Sequence, residues 1–179
     1  AMLSMAWLLS CAGSGTPPPE EEDVSAVVDA DGDGYPADVD CADDDAQRWP
    51  ATFLPDDGPA EDHTLRLSGA VTADVPGTLL LCPGTWPARL NVDTALTIEG
   101  VGPPDLVIIS GEREGSVVSI EAAGAKVTLR NLTIANGRAT EPLSVGGLNY
   151  EAGGGIVCNT EAILTIEDAL IVASEAEYG

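Results

Sequence analysis

Three stretches of the chain are variants of one theme: Ala95-Leu-Thr-Ile-Glu-Gly100, Lys126-Val-Thr-Leu-Arg-Asn-Leu-Thr-Ile-Ala-Asn-Gly137 and Ile163-Leu-Thr-Ile-Glu-Asp-Ala-Leu-Ile-Val-Ala-Ser174. Each runs an apolar–Thr–apolar strand into a polar corner, after which a second strand begins. Such a corner needs a residue that tolerates left-handed backbone angles, and Gly100, Asn131 and Asp168 are suitable types. A unit of this kind cannot bury its inner face alone, so its copies must stack. The pattern predicts an all-β repeat architecture from about Leu65 onward.

Further strand-length runs are bounded by turn residues, among them Thr78-Leu-Leu-Leu-Cys82, Leu106-Val-Ile-Ile109, Ser116-Val-Val-Ser-Ile120 and Gly155-Ile-Val-Cys158. No stretch keeps a long helical period, which disfavours an α/β sheet with crossover helices. A β-sandwich also uses short strands and is the competing architecture. Two motifs favour the stacked form. Leu81-Cys-Pro-Gly-Thr-Trp-Pro87 is similar to the PPGTY turn that opens many parallel β-helices. Gly153-Gly-Gly-Ile156, followed by Leu164-Thr-Ile166, resembles the repeat of polymorphic outer-membrane-type proteins. Residues 65–179 thus resemble a right-handed parallel β-helix, a solenoid of the pectate-lyase-like superfamily. The chain stops at Glu177-Tyr-Gly179, about where another Gly-rich turn is due, and we expect the helix to continue with its last coil uncapped.

A different texture precedes the repeats. In Asp29-Ala-Asp31-Gly-Asp33-Gly34-Tyr35-Pro36-Ala37-Asp38-Val39-Asp40-Cys41-Ala42-Asp43-Asp44-Asp45, acidic residues recur at alternate positions and a glycine follows. Like charges at this density repel unless a cation neutralises them. Oxygen-only donors suit a hard divalent ion. With Asp29 as the first residue of a calcium loop, Asp31 and Asp33 take the third and fifth places. Gly34 takes the sixth, where the chain turns sharply. Tyr35 offers its carbonyl from the seventh, and Asp40 closes the shell from the twelfth. Asp38, Asp43 and Asp45 are candidates for a second ion or for a share of the first. The bland alternative is a solvated acidic tail.

The loop departs from an EF-hand. Its closing residue is Asp rather than Glu, Pro36 replaces an apolar residue, and no amphipathic helix follows. It resembles thrombospondin type 3-like calcium repeats and a metal-binding motif of secreted bacterial proteins, over residues 29 to about 50. That resemblance implies calcium as the cofactor.

The net charge is −23, and 16 of the 30 acidic residues lie between Glu20 and Asp62. Only seven Lys and Arg are present, without a cluster, so nucleic acid and anionic lipid headgroups are poor partners. At the N-terminus, Met2-Leu-Ser-Met-Ala-Trp-Leu-Leu9 is apolar but too short to span a bilayer. Leu8-Leu9-Ser10-Cys11 resembles a bacterial lipobox, which implies lipid on Cys11 and a membrane anchor. An ordinary signal peptide with a chance cysteine is the simpler reading. The Gly-Ser-Gly-Thr-Pro-Pro-Pro run after Cys11 has the composition of a flexible, then extended, tether.

A lipidated Cys11 leaves Cys41, Cys82 and Cys158, and export implies an oxidising compartment. A Cys41–Cys82 bridge would pin the acidic segment to the repeats, although sequence does not assign the pairing. Cys158 reads as a small buried hydrophobe. Zinc is disfavoured, since no two cysteines are close and His63 is the sole histidine.

Catalytic constellations are not evident. Asp74, Asp93, Asp105 and Asp168 are widely spaced in turn contexts. Arg130 and the pair Glu167-Asp168 read as solvated corner residues, and no motif groups an arginine with two acids. Asn131, Asn136 and Asn159 suit turn hydrogen bonds or a stacked Asn ladder. The sequence therefore divides into an export signal with lipobox (1–11), a Pro/Glu-rich tether (12–28), an irregular acidic calcium-binding motif (29–50), a connector (51–64) and a parallel β-helix (65–179). The expected role is a lipid-anchored surface scaffold for an extracellular glycan or surface protein. The alternative is a polysaccharide lyase or glycoside hydrolase whose catalytic coils lie beyond this chain.

Overall fold

The computed structural model describes residues 28–139, 142–145, 148–151, 153–158 and 161–176. Cys11, the tether as far as residue 27 and Asn159 lie outside them. Among the described residues the chain is all-β, with one short 3-10 turn at Thr64–Arg66.

Parallel strands form three sheets, and the chain visits them in a fixed cycle. The first cycle is β3 (Gly69–Ala73), β4 (Gly77–Leu81) and β5 (Gly84–Trp86), after an antiparallel start in β1 (Ala51–Pro55) and β2 (Glu61–Asp62). Next come β6 (Ala88–Val92), β7 (Leu96–Gly100) and β8 (Val107–Ser110), then β9 (Val118–Ile120), β10 (Lys126–Arg130) and β11 (Thr133–Ala135). After β12 (Arg138–Ala139) and a hairpin of β13 (Pro142–Val145) and β14 (Leu148–Glu151), the cycle resumes as β15 (Ile156–Cys158), β16 (Ile163–Glu167) and β17 (Leu170–Val172). The final β18 (Glu175–Ala176) pairs with β12. Strands β4, β7, β10 and β16 are neighbours in one sheet, β5, β8, β11 and β17 in a second, and β3, β6, β9 and β15 in the third.

Alternation within each strand sends every second side chain inward. Register then aligns these residues into columns. Leu79, Ile98, Leu129 and Ile166 form one column, and Leu90, Val118 and Ile156 belong to another. Ile109 and Ile134 stack in the second sheet. Ile98, Leu129 and Ile134 are wholly buried. Ile166, expected to be an inner residue, is 45% exposed, as are Ile163, Leu170, Ile171 and Val172 to similar degrees. Burial here comes from the cycle stacked on either side, and among the described residues nothing covers the outer side of the β16 cycle. Cys158, expected to be buried, is half-buried at the same end and packs against the core.

The corners behave as their residue types require. Asn131 (φ 51°) and Asp168 (φ 48°) are both left-handed, and so are Asn136 (φ 54°) and Ala173 (φ 49°) on the next corner. Gly100 is required for a different reason. A Cβ there would collide with the Asn131 carbonyl and press on Val107, so the position demands close approach rather than a left-handed turn. No Asn ladder forms at Asn131 and Asn136, since Asn136 instead donates its amide to Ser110 Oγ at 3.2 Å.

Residues 51–64, read from sequence as a connector, are part of the sheet structure. Strand β1 pairs antiparallel with β4 across its whole length and covers that sheet edge. Phe53 joins the core and stacks on His63, with ring centroids 5.0 Å apart.

Candidate metal centre

The acidic segment folds by local turn chemistry. An Asp side chain readily accepts hydrogen bonds from backbone N–H groups a few residues on. Asp29 accepts from Gly32 N at 2.7 Å and from Gly34 N at 3.0 Å. Asp31 accepts from Asp33 N at 3.1 Å, and Asp33 from Tyr35 N at 2.8 Å. The chain doubles back at Gly32 (φ 79°) and Gly34 (φ 103°), angles that side chains rarely adopt. After Pro36 a turn brings Asp40 round, with Asp40 N donating to the Pro36 carbonyl at 3.0 Å. Asp43 closes the far side by accepting from Ala30 N at 3.0 Å.

These turns gather carboxylates whose neighbours in sequence point elsewhere. Ligand oxygens of Asp31, Asp33 and Asp40 all lie within 4.8 Å of one another, and so do those of Asp29, Asp31 and Asp43. Two oxygens on opposite sides of one calcium ion, each about 2.4 Å from it, are separated by about 4.8 Å. In the first group one oxygen of each carboxylate is already used by the backbone, Asp40 Oδ1 accepting from Ala42 N at 2.9 Å. The other oxygen, Oδ2 of Asp31, Asp33 and Asp40, is buried and has no hydrogen-bond partner. Asp40 itself is 3% exposed. Burial pushes the carboxyls of Asp33 and Asp40 above the ordinary value of 3.8, and the nearby acids push them further.

Asp38 and Asp45, also expected as ligands, are exposed and belong to neither group. The Asp45 side chain instead caps its own turn through Gln47 N at 3.2 Å. Tyr35, expected to contribute its carbonyl, makes a side-chain contact that the sequence did not suggest. Its phenol donates to Asp62 Oδ2 at 2.9 Å, which ties the front of the loop to β2. No sequence signal marked Asp62 for this contact.

The rear of the loop is tied covalently. Cys41 and Cys82 form a disulfide, with Cα atoms 5.4 Å apart. Cys82 follows β4 directly, and its N–H donates to the Pro50 carbonyl at 2.8 Å. Asp40, Cys41 and Cys82 also lie close together, but disulfide sulfurs are not thiolates and the trio is not a metal site.

One grouping contradicts the sequence reading. Arg130, expected to be solvated, does keep a side chain 40% exposed, but it also stands between Glu167, at 2.7 Å, and Glu99, at 3.5 Å, in one column of the β7–β10–β16 sheet. Stacking thus joins an arginine to two acids far apart in sequence. Hydrogen bonding to Glu167 raises the guanidinium above its ordinary value and keeps it charged. A permanently charged arginine suits an ion-pair column better than a proton acceptor. Arg89 pairs with Glu114 at 3.3 Å and Arg113 with Glu175 at 3.5 Å, again across cycles.

No family model, curated protein or solved structure matches the chain. Its functional reading therefore rests on this geometry. Among the described residues no helix is long and apolar enough to cross a membrane.

Proposed function

We propose that residues 29–45 bind calcium, and that the protein is an exported, lipid-anchored surface scaffold whose body is a right-handed parallel β-helix. One observation carries the calcium reading: Asp31, Asp33 and Asp40 each bring a carboxylate oxygen within 4.8 Å of the others', and each holds a buried Oδ2 without a partner. A buried acceptor left unsatisfied costs roughly 1–3 kcal/mol, and more when charged. A shared cation removes that cost at all three oxygens. The donor set contains only oxygen, which favours hard ions over soft ones. Calcium accepts a high and irregular coordination number, whereas magnesium demands near-octahedral geometry and keeps its waters. Asp29 and Asp43 add further oxygens on the adjoining side.

Support for the scaffold comes from the cyclic order of the three parallel sheets. Crossovers between parallel strands are right-handed in almost all known cases, which favours that hand here. The lipid anchor rests on Leu8-Leu9-Ser10-Cys11 and the tether after it. An extracellular glycan or surface protein is the partner class that a rigid, mostly polar outer face would suit.

Calorimetric titration of the full chain with calcium tests the central claim. Binding in the range of about 10⁻⁴ to 10⁻³ M is expected for an extracellular module. An unchanged affinity in the Asp31→Ala/Asp33→Ala double variant would sink the assignment.

A further inference from the structure

The loop is held to the body at two points, and the two flank the carboxylate group. At the front, the Tyr35 phenol reaches Asp62 on β2. At the rear, the disulfide joins Cys41 to Cys82 at the end of β4. Asp40, the most buried of the clustered acids, immediately precedes the bridged Cys41. Its Oδ1 lies 3.8 Å from Cys82 Sγ, and the Cys41 N–H points at the same sulfur, 3.0 Å away. The disulfide therefore sets the position of the residue that closes the carboxylate group, while Tyr35, whose N–H donates to Asp33 at 2.8 Å, separately fixes the Asp33 side of the group.

We propose that the ion site is coupled to the oxidation state of Cys41–Cys82, so that the bridged chain binds calcium more tightly than the reduced one. The inference rests on the calcium reading above. Reduction by a dithiol proceeds through a mixed disulfide. One reductant thiolate bonds to a protein sulfur as the Cys41–Cys82 bond breaks. The second reductant thiol then closes a cyclic disulfide and releases the protein sulfur. The protein gains two electrons and two protons as two thiols, and the dithiol loses the same. Two thiols no longer share a bond and must separate to non-bonded contact. That movement is delivered to Cys41 and Asp40, whereas the Tyr35 contacts still hold Asp33 in place. By linkage, any factor by which oxidation tightens calcium binding is the factor by which calcium shifts the disulfide equilibrium toward the bridged form.

The test uses the full chain, equilibrated across ratios of reduced to oxidised dithiothreitol, in chelator and in millimolar calcium. Alkylation and peptide masses then report Cys41 and Cys82 separately from Cys158 and Cys11. We expect calcium to raise the reductant ratio needed for half-reduction by about tenfold, equivalent to about 30 mV for a two-electron couple. The Asp31→Ala/Asp33→Ala variant should lose that shift. If calorimetry shows calcium bound to the oxidised chain but the ratio is unmoved, the coupling is wrong and the ion site stands. A shift that persists in the double variant also overturns the coupling through this site. Absence of calcium binding to the oxidised chain overturns both readings.

Discussion

Replacing Asp40 by Asn should reverse its effect on stability according to whether calcium is present. The side chain is 3% exposed, and its Oδ2 meets no donor. In chelator, the native carboxylate is buried beside Asp31 and Asp33 with nothing to offset its charge. Asn keeps the shape and retains an oxygen to accept from Ala42 N. It also gains an amide that can donate to either neighbouring carboxylate. Relief of one unsatisfied buried acceptor is worth roughly 1–3 kcal/mol. At about 2–4 °C per kcal/mol for a chain of this size, the melting temperature should rise by about 2–4 °C or more. Calcium inverts the balance. At a concentration about a hundredfold above its Kd, an ion stabilises the native state by about 2.7 kcal/mol. Asn removes one charged ligand and most of that gain, so the melting temperature should fall by several degrees. Paired thermal melts in chelator and in calcium, followed by circular dichroism, measure both arms. A change of the same sign and size in both buffers would refute the argument, since Asp40 would then be a structural residue with no ion to hold.

Other consequences are equally open to measurement. Because Asp33 and Asp40 titrate above 3.8 in the folded chain, the ion-free native state binds more protons than the unfolded state in the window just above that value. Ion-free stability should therefore fall as pH rises through the window and be higher below it, as denaturant midpoints in chelator would show. With calcium bound the trend should reverse, because protons compete with the ion for the same oxygens. Asp38→Ala should leave calcium affinity unchanged by calorimetry, whereas Gly34→Ala should weaken it by forcing a Cβ onto a backbone at φ 103°. Ile134→Ala should cost about 2–5 kcal/mol in urea melts. The same change at Ile166, which is 45% exposed, should cost less than half as much.

Local chemistry made part of this molecule legible in its sequence. Asn131 and Asp168 were readable as left-handed corners because few residue types tolerate that angle. Asp31, Asp33, Gly34 and Asp40 were readable as one loop because their spacing is itself the turn. Asp38 and Asp45 share the same acidic alternation, yet beyond Pro36 the alternation no longer tells which oxygens face inward. Strand β1 was hidden because Ala-Thr-Phe-Leu-Pro, followed by Asp-Asp-Gly-Pro, has the composition of a linker, and its pairing with β4 is antiparallel and non-local. Gly100 was assigned to a turn when its true constraint is the Asn131 carbonyl of the next cycle. The Arg130 column and the exposure of Ile166 share that cause: both depend on which strand lies above or below.

The β13–β14 hairpin carries a lesson about how this chain keeps count. It lengthens the path between β12 and β15, yet β15, β16 and β17 pair with β9, β10 and β11 residue for residue, Val127 opposite Leu164 and Ile134 opposite Ile171. Contour length along the backbone is thus not what sets alignment; the apolar columns are. A chain built this way can accept new loops at that corner without renumbering its interior, so the corner is where sequence change is cheapest and where a new surface can be grafted while the acidic loop stays untouched.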